Sequence, residues 1–454
     1  MKKYILPLIT LIISLITIIS IIKLNMIPNK YLLIIILIET LLLLIGTILN
    51  INKNKILKII GIILLIINII INSVGLYYIN NTNKFIKNIF TKDIKYTSVY
   101  YLITNKENNK TLEDLDENTN ILYYEYSKNI DKAKEILGNY KYEKTNNIID
   151  TLNNLKGYLL IDKTNYDITE TNKENLKILY EFNVETTEKR VVNKTQNSYN
   201  IYIGGRDFTR ELTDFNMLIT INNKTKTILL TSIPRDYYLD IPNYRKDSLE
   251  FMGLLGENVI MSSLENLFDT EINYYGSLYT DGLVEIVDKL GGIEFCSDQT
   301  FTTTHALVQN TYVDYGEKLT IQKGCQHLNG IETLTVARER KHVGSDRKRQ
   351  ENCRQIFKNI MNKSLSMTTL TNYEELLNSV SNLYQTNMDD KTITTLIKNL
   401  INDKYTILEQ NVDGSDGENY IRQGTVKSYV MYPYENTVNN AKQKIKEVLE
   451  GWNI

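Results

Sequence analysis

Apolar residues dominate the first 80 positions in three runs, residues 4–22, 31–49 and 56–79, separated by short polar turns. Each run approaches the ~20 residues that cross ~30 Å of hydrocarbon, which predicts three membrane helices. Beyond Ile79 the pattern shortens. Strand-like and helix-like stretches alternate at 98–103, 111–115, 121–126, 130–137, 148–155, 158–161 and 175–180, which predicts a small α/β domain over 90–184. The polar stretch 185–197 reads as a linker. A second α/β unit over 198–454 opens with β-branched runs at 199–203, 215–221 and 227–233. Helical periodicity returns at 373–383, 393–401 and 438–449, completing that unit.

Lysines orient the anchor. Lys2, Lys3, Lys53, Lys55 and Lys58 flank the N-terminus and second turn, against Lys23 and Lys30 in the first. The bias places the N-terminus inside, and three crossings then put everything after Ile79 on the far side. A cleaved signal peptide is the rival reading of the first run, but the run is too long and lacks a small-residue cleavage site. Glu39, mid-run, is costly in hydrocarbon and marks either an intramembrane function or a protonated or helix-paired carboxyl.

Composition narrows the chemistry. Across 454 residues, 52 Lys+Arg against 53 Asp+Glu leave a net charge of -1, so no global positive field recruits nucleic acid. Three cysteines exclude a disulfide-dense scaffold, and three histidines leave little for a His-rich metal site or a Ser/His/Asp triad. His305, His327 and His342 show no partner pattern. Cys296 and Cys325 flank a loop whose closure by a disulfide is worth ~3 kcal/mol, which an extracytoplasmic compartment permits. Cys353 is expected as a buried free thiol.

Candidate chemistry lies in the second unit. If 199–203, 215–221 and 227–233 are neighbouring antiparallel strands, Asp207, Asp214 and Arg235 emerge at one edge. Arg338 and Arg340 follow the run 333–337, and an extended backbone there would point both one way. Ser345 or Asp346 can cap the next helix, whose stripe Cys353, Ile356, Phe357 and Ile360 faces inward. Arg349 falls beside that stripe, where a buried guanidinium needs an anion or carboxylate. A basic run is usually a solvated face; the inward Arg349 favours an anion site. Two carboxylates suit a hard cation that completes its shell with water and phosphate oxygens. Together they describe a metal-plus-arginine clamp for a di- or polyphosphate.

These residues resemble the LytR-CpsA-Psr family of bacterial cell-envelope proteins. The likeness runs over 199–365: Ser232-Ile-Pro-Arg-Asp236 with Ile241-Pro242, Val287-Asp-Lys-Leu-Gly-Gly-Ile293, Gly324 with Leu328-Asn-Gly330, Ala337-Arg-Glu-Arg340, and Asp346 through Gln350. Three membrane runs and an accessory domain also look like its capsule-associated branch. The resemblance implies an α/β/α catalytic domain with a mixed sheet and transfer of a glycopolymer, of capsule or teichoic-acid type, from a polyprenyl-pyrophosphate carrier to peptidoglycan. It implies Mg2+, or Mn2+, on Asp207 and Asp214, and a pyrophosphate grip by Arg235, Arg338, Arg340 and Arg349. Asp346 would orient an arginine or help deprotonate the acceptor hydroxyl.

One departure is the pair Leu212-Thr213, where the family usually carries Arg-Ser; either Arg206 or Arg210 is the expected substitute, or the site has one clamp fewer. The lipid tail needs an apolar tunnel, for which Leu249, Met252, Leu264, Leu283, Val287, Ile356 and Ile360 are the expected walls; ordinary core is the plainer reading of each. Two other functions compete with the phosphotransferase. One is a membrane-anchored regulator, attenuator or glycan-binding protein of the same fold without turnover; the other is pyrophosphate hydrolysis without transfer. No helix-turn-helix signature or basic domain supports nucleic-acid contact.

Overall fold

The computed structural model describes residues 2–90, 94–125, 127, 129–169, 171, 173–188, 197–207, 212–241, 246–307, 316–364, 384–421 and 426–452. The apolar runs form α1 (Lys2–Leu24), α2 (Asn29–Ile51) and α3 (Lys55–Phe90), each long and apolar enough to cross a membrane. At 1.5 Å per residue the 36-residue α3 spans ~54 Å, so it outruns the hydrocarbon. No Gly or Pro interrupts its polar final third, which is why it continues past Ile79. Glu39 is buried between the helices: its Oε2 accepts from Ser14 Oγ (3.1 Å), Asn68 Nδ2 (2.8 Å) and Asn72 Nδ2 (2.9 Å). The helix-paired carboxyl is therefore the arrangement found, one polar residue set per helix meeting at one level.

A five-stranded sheet follows, of β1 (Ile94–Asn105), β2 (Asn120–Tyr124), β3 (Lys141–Thr145), β4 (Tyr158–Asp162) and β5 (Leu176–Glu188), in the order β3-β2-β4-β1-β5. Helices α4 (Ile130–Leu137), α5 (Ile148–Asn153) and α6 (Lys163–Ile168) connect its strands. Strand β5 runs through 185–188, paired to β1 as far as Ile94↔Glu188, so the start of the expected linker is strand instead. Its Thr and Val content suits an extended pairing that a propensity for turns did not reveal. Residues 189–196 lie outside the described residues.

The second sheet is mixed, in the order β16-β11-β6-β7-β8-β17. Strands β6 (Ser198–Arg206), β7 (Thr213–Asn222) and β8 (Thr227–Ile233) are antiparallel neighbours, and β11 (Tyr274–Tyr279) is parallel to β6. Short strands β9 (Tyr238–Leu239) and β10 (Asp247–Ser248) lead into α7 (Leu249–Leu255) and α8 (Glu257–Phe268). After β11 come α9 (Thr280–Lys289), β12 (Ile293–Ser297), β13 (Phe301–Ala306), β14 (Lys318–Ile321), β15 (Gly324–Leu328), α10 (Gly330–Arg338) and α11 (Asp346–Ser364). The chain closes with β16 (Tyr384–Thr386), α12 (Asp390–Asn402), β17 (Thr406–Asn411), the hairpin β18 (Gly414–Ile421) and β19 (Val426–Pro433), and α13 (Glu435–Glu450). The helical run expected at 373–383 lies outside the described residues.

Both faces of this sheet are covered, so β7 is buried almost throughout. Alternation sends Tyr202, Leu218 and Tyr275 to one face, against α7, α8 and α13. Ile201, Met217 and Tyr274 point to the other, against α12 and Phe357 of α11. A lobe of Val287, Ile293, Phe295, Val336 and Ile356 joins α9, α10 and α11. The Cys296–Cys325 disulfide ties β12 to β15, and Cys353 is buried and free, both as expected. Tyr384 and Ile393 also pack on Ile21, Leu24, Met26 and Ile79, seating this unit on the anchor. Lys30 Nζ reaches the Asn402 carbonyl at 3.0 Å and Lys398 Nζ reaches Asn25 at 2.9 Å across the same seam.

Candidate active site

A cavity of about 730 Å³ lies between the α12-side face of the second sheet and helices α9, α10 and α11. Ile203 and Phe215 form its floor, and Leu283, Ile356, Phe357 and Ile360 its roof. Glycines keep the floor open: a Cβ at Gly276 would come within 2.8 Å of the Tyr384 hydroxyl, and one at Gly205 within 2.9 Å of Phe215 Cβ. Of the tunnel walls expected from sequence, Leu283, Ile356 and Ile360 line the cavity. Leu249, Met252 and Leu264 do not. They sit on α7 and α8 and pack on the opposite face of the sheet, to which strand alternation directs their partners Tyr202 and Leu218. Val287, one turn beyond Leu283, is fully buried in the lobe core.

Charged side chains share the lining of this apolar space. Asp207, Asp214, Arg235, Arg338, Arg340 and Arg349 all line it, although they span from 207 to 349 in sequence. The hairpin geometry accounts for the first three: β6 ends before Asp207, β7 begins at Thr213 and β8 ends just before Arg235. Arg235 Nη1 pairs with Asp214 Oδ1 and lies 3.0 Å from Glu250. Asp207 Oδ1 accepts from the Leu212 amide at 3.1 Å.

The backbone carrying Arg338 is helical, not extended. Asn329 and Glu332 form a capping box that starts α10, and Arg338 is its last residue. That box was visible in the sequence and outweighs the β-branched content of 333–336. Arg338 and Arg340 still face one cavity because the helix ends between them. Ser345 Oγ accepts from the Lys348 amide at 3.2 Å and so caps α11. Arg349 is almost fully buried: Nε donates to Asp346 at 2.8 Å and Nη1 to the Asp214 carbonyl at 2.9 Å. Its Nη2 finds no partner among the described residues. A buried guanidinium with an unspent donor at a cavity wall suits an incoming anion.

Electrostatics sort the acids. Burial would raise Asp346, but Arg349 and Gln350 outweigh it and hold this carboxyl below the usual range. Burial wins at two acids that sequence reasoning passed over. Asp236 rises to about 6 and Glu250 to about 7, both against the opposing pull of Arg235. Asp236 sat in view inside Ser-Ile-Pro-Arg-Asp; Glu250 reaches the site only because α7 starts directly after β10, and no local signal marks it. Arg206, the expected substitute for the missing arginine, lines the cavity but pairs with Glu257 at 2.5 Å. Arg210 lies outside the described residues.

Asp207 and Asp214 lie at adjacent strand ends and both line the cavity, so their carboxylates would be the groups to hold a hard cation, Asp214 sharing its charge with Arg235, and the cation would supply positive charge beside the arginines. Glu294, Cys296 and Cys325 also cluster, but both sulfurs are spent in the disulfide.

Fold and site together define an arginine-lined apolar cavity on an α/β unit behind a three-helix anchor. The chain belongs to the LytR_cpsA_psr family, whose model matches residues 152–447. It is similar to the polyisoprenyl-teichoic acid–peptidoglycan teichoic acid transferase TagU of Enterococcus faecalis, 33% identical over 178 residues, which cover 38% of this chain and 54% of the relative. TagT of Bacillus subtilis, named for the same transfer, is 26% identical over 188 residues, covering 41% and 56%. The chain thus spans about half the length of the curated relatives it first matches. Among solved structures it resembles B. subtilis TagV (TM-score 0.47, 21% identity, 56% of this chain and 98% of that one) and TagT bound to LI-WTA (TM-score 0.45, 21% identity, 57% and 94%).

Proposed function

We propose that this protein is an envelope phosphotransferase that moves a glycopolymer, of capsule or teichoic-acid type, from a polyprenyl-pyrophosphate carrier to peptidoglycan. One observation carries this reading: four arginines and two aspartates line a single, mainly apolar cavity. The cavity takes prenyl chain, each buried CH2 contributing about 0.8 kcal/mol. Arg235, Arg338, Arg340 and Arg349 take the diphosphate, each charge-assisted contact worth ~1.5–3 kcal/mol. Asp207 and Asp214 hold Mg2+, which neutralises phosphate charge when bound. The acceptor oxygen bonds to the glycan-bearing phosphorus as the bond to the departing polyprenyl phosphate breaks, and the hydroxyl proton leaves to a nearby carboxylate or water.

Two further features support the setting. Tyr384 both lines the cavity and packs on the cluster formed by the end of α1 and Ile79 of α3, so a carrier confined to the bilayer meets the site at the anchor. The lysine bias and the disulfide favour an extracytoplasmic catalytic unit. The test uses the full chain in lipid nanodiscs with polyprenyl-pyrophosphate-linked glycan, Mg2+ and peptidoglycan fragments. Release of polyprenyl phosphate coupled to glycan transfer, lost in Arg235→Ala and Asp214→Ala, is the expected result. Binding without release under any condition would make the protein a regulator or glycan-binding module, and release that persists with the acceptor omitted and is never coupled to transfer would make it a pyrophosphatase.

A further inference from the structure

Beside the apolar cavity lies a second pocket of about 570 Å³ that the transfer reaction as described leaves unused. The two share Leu212, Arg235, Glu250 and Arg340, so they abut across the arginine cluster. The second pocket is polar. Asp236, Ser248, Asp346, Arg347, Ser428 and Tyr429 line it.

This wall is built rather than incidental. Apart from an isolated bridge between Met431 and Tyr237, hairpin β18–β19 pairs only with itself among the described residues, and Arg347 of α11 clasps it, with Nε on Asp413 at 2.6 Å and Nη2 on the Gly414 carbonyl at 2.8 Å. The Tyr429 hydroxyl donates to Asp416 at 2.8 Å, and the Met431 amide to the Asp236 carbonyl at 2.7 Å. Ser248, which lines the pocket, is 2% exposed and its Oγ has no hydrogen-bond partner among the described residues. Asp236 Oδ1 stands 3.8 Å from Arg235 Nε, beyond hydrogen-bonding distance. Unspent buried polar groups in the lining of a pocket point to a ligand that supplies the missing partners.

The chemistry of the wall selects that ligand. Asp236, Glu250 and Asp346 would repel a further phosphate, and a prenyl chain would strand the buried Ser248 hydroxyl. Carboxylates that accept, a hydroxyl that donates and an aromatic ring at the rim match the hydroxyl edge and apolar face of a sugar. In-line phosphoryl transfer also demands that nucleophile and leaving group lie on opposite sides of phosphorus. With the departing lipid phosphate on the apolar side, the hydroxyl must come from the polar one.

We propose that the pocket between the arginine cluster and hairpin β18–β19 is the acceptor subsite, binding an N-acetylhexosamine chain whose hydroxyl receives the glycopolymer. The inference rests on the phosphotransferase reading for its role but on the pocket alone for its binding. The test measures binding of chitotetraose, a β-1,4-linked N-acetylhexosamine tetrasaccharide, to the full chain in nanodiscs, with polyprenyl phosphate binding as the parallel readout. Ser428→Trp, which fills the pocket, is expected to weaken tetrasaccharide binding at least tenfold, and Tyr429→Ala at least threefold. Both should leave polyprenyl phosphate affinity within twofold and melting unchanged. Tetrasaccharide affinity within twofold of the parent in both variants would overturn the proposal, as would selective loss of a lipid-free donor glycan phosphate instead. If no protein transfers glycan while chitotetraose binding still follows the pocket, the phosphotransferase reading falls and the subsite stands. If Ser428→Trp transfers with an unchanged acceptor KM, the subsite falls and the phosphotransferase stands.

Discussion

Arg349 Nη1 donates to the backbone carbonyl of Asp214 at 2.9 Å, joining α11 to the start of β7 across 135 positions of sequence. The same guanidinium holds Asp346, so one side chain orders an expected metal carboxylate's backbone and an acid of its own helix. Arg349→Ala removes both and leaves Asp346 half-buried with Gln350 and Arg340. Breaking a buried pair costs ~3 kcal/mol. The expected outcome is a lower denaturation midpoint and a fall in kcat/KM of roughly a hundredfold or more. Arg349→Lys should not restore either, because an ammonium cannot span both acceptors.

The cavity and the arginines should separate kinetically. Ile360→Trp places a bulky ring in the roof without touching a charge, so the KM for a polyprenyl-pyrophosphate substrate is expected to rise about tenfold while a short-chain prenyl analogue reacts normally. Leu264→Ala, on the other face of the sheet, should lower stability by ~2–5 kcal/mol and leave chain-length preference unchanged. Chain-length profiles of the two variants check this.

Glu250 gives stability a pH dependence of definite sign. Its carboxyl rises from the ordinary 4.5 to about 7 on folding, chiefly through burial. Between those values the folded chain binds the proton that the unfolded chain has released, so the contribution is present at low pH and is lost as pH climbs from about 4.5 to 7. Glu250→Gln should flatten that decline, on the order of 1–3 kcal/mol across the window. Denaturant titrations at pH 5 and pH 8 measure it; an equal decline in parent and variant would contradict the assignment.

Asp207 and Asp214 predict metal dependence. Chelation by EDTA is expected to abolish transfer, and added Mg2+ to restore it. Asp214→Asn should raise the Mg2+ concentration for half-maximal rate by an order of magnitude or more, since a hard cation loses an anionic ligand. Isothermal titration of Mg2+ into the parent and variant with a bound diphosphate provides a readout independent of turnover.

The Cys296–Cys325 bond closes a loop of 29 positions, for which chain entropy assigns roughly 3 kcal/mol. Reduction should lower the melting temperature and raise the thiol count of the denatured chain from one to three. The buried Cys353 thiol, pushed up to about 11 mainly by burial, should stay inert to alkylation in the native protein.

Local physics in the chain determined the anchor, the strand ends that carry Asp207, Asp214 and Arg235, the inward stripe of α11 and the pairing of its cysteines. Each depends on period, capping or residue type within a short window. Only the tertiary structure decided which apolar stripe walls the cavity: Leu264 and Ile356 look alike in sequence, but the sheet separates their faces. It also turned the expected extended run before Arg338 into a capped helix, brought Glu250 to Arg235, and set the β18–β19 hairpin opposite Asp236. Those outcomes rest on contacts between segments far apart along the chain, whose free energy appears only once the sheet has closed and its two faces have been filled.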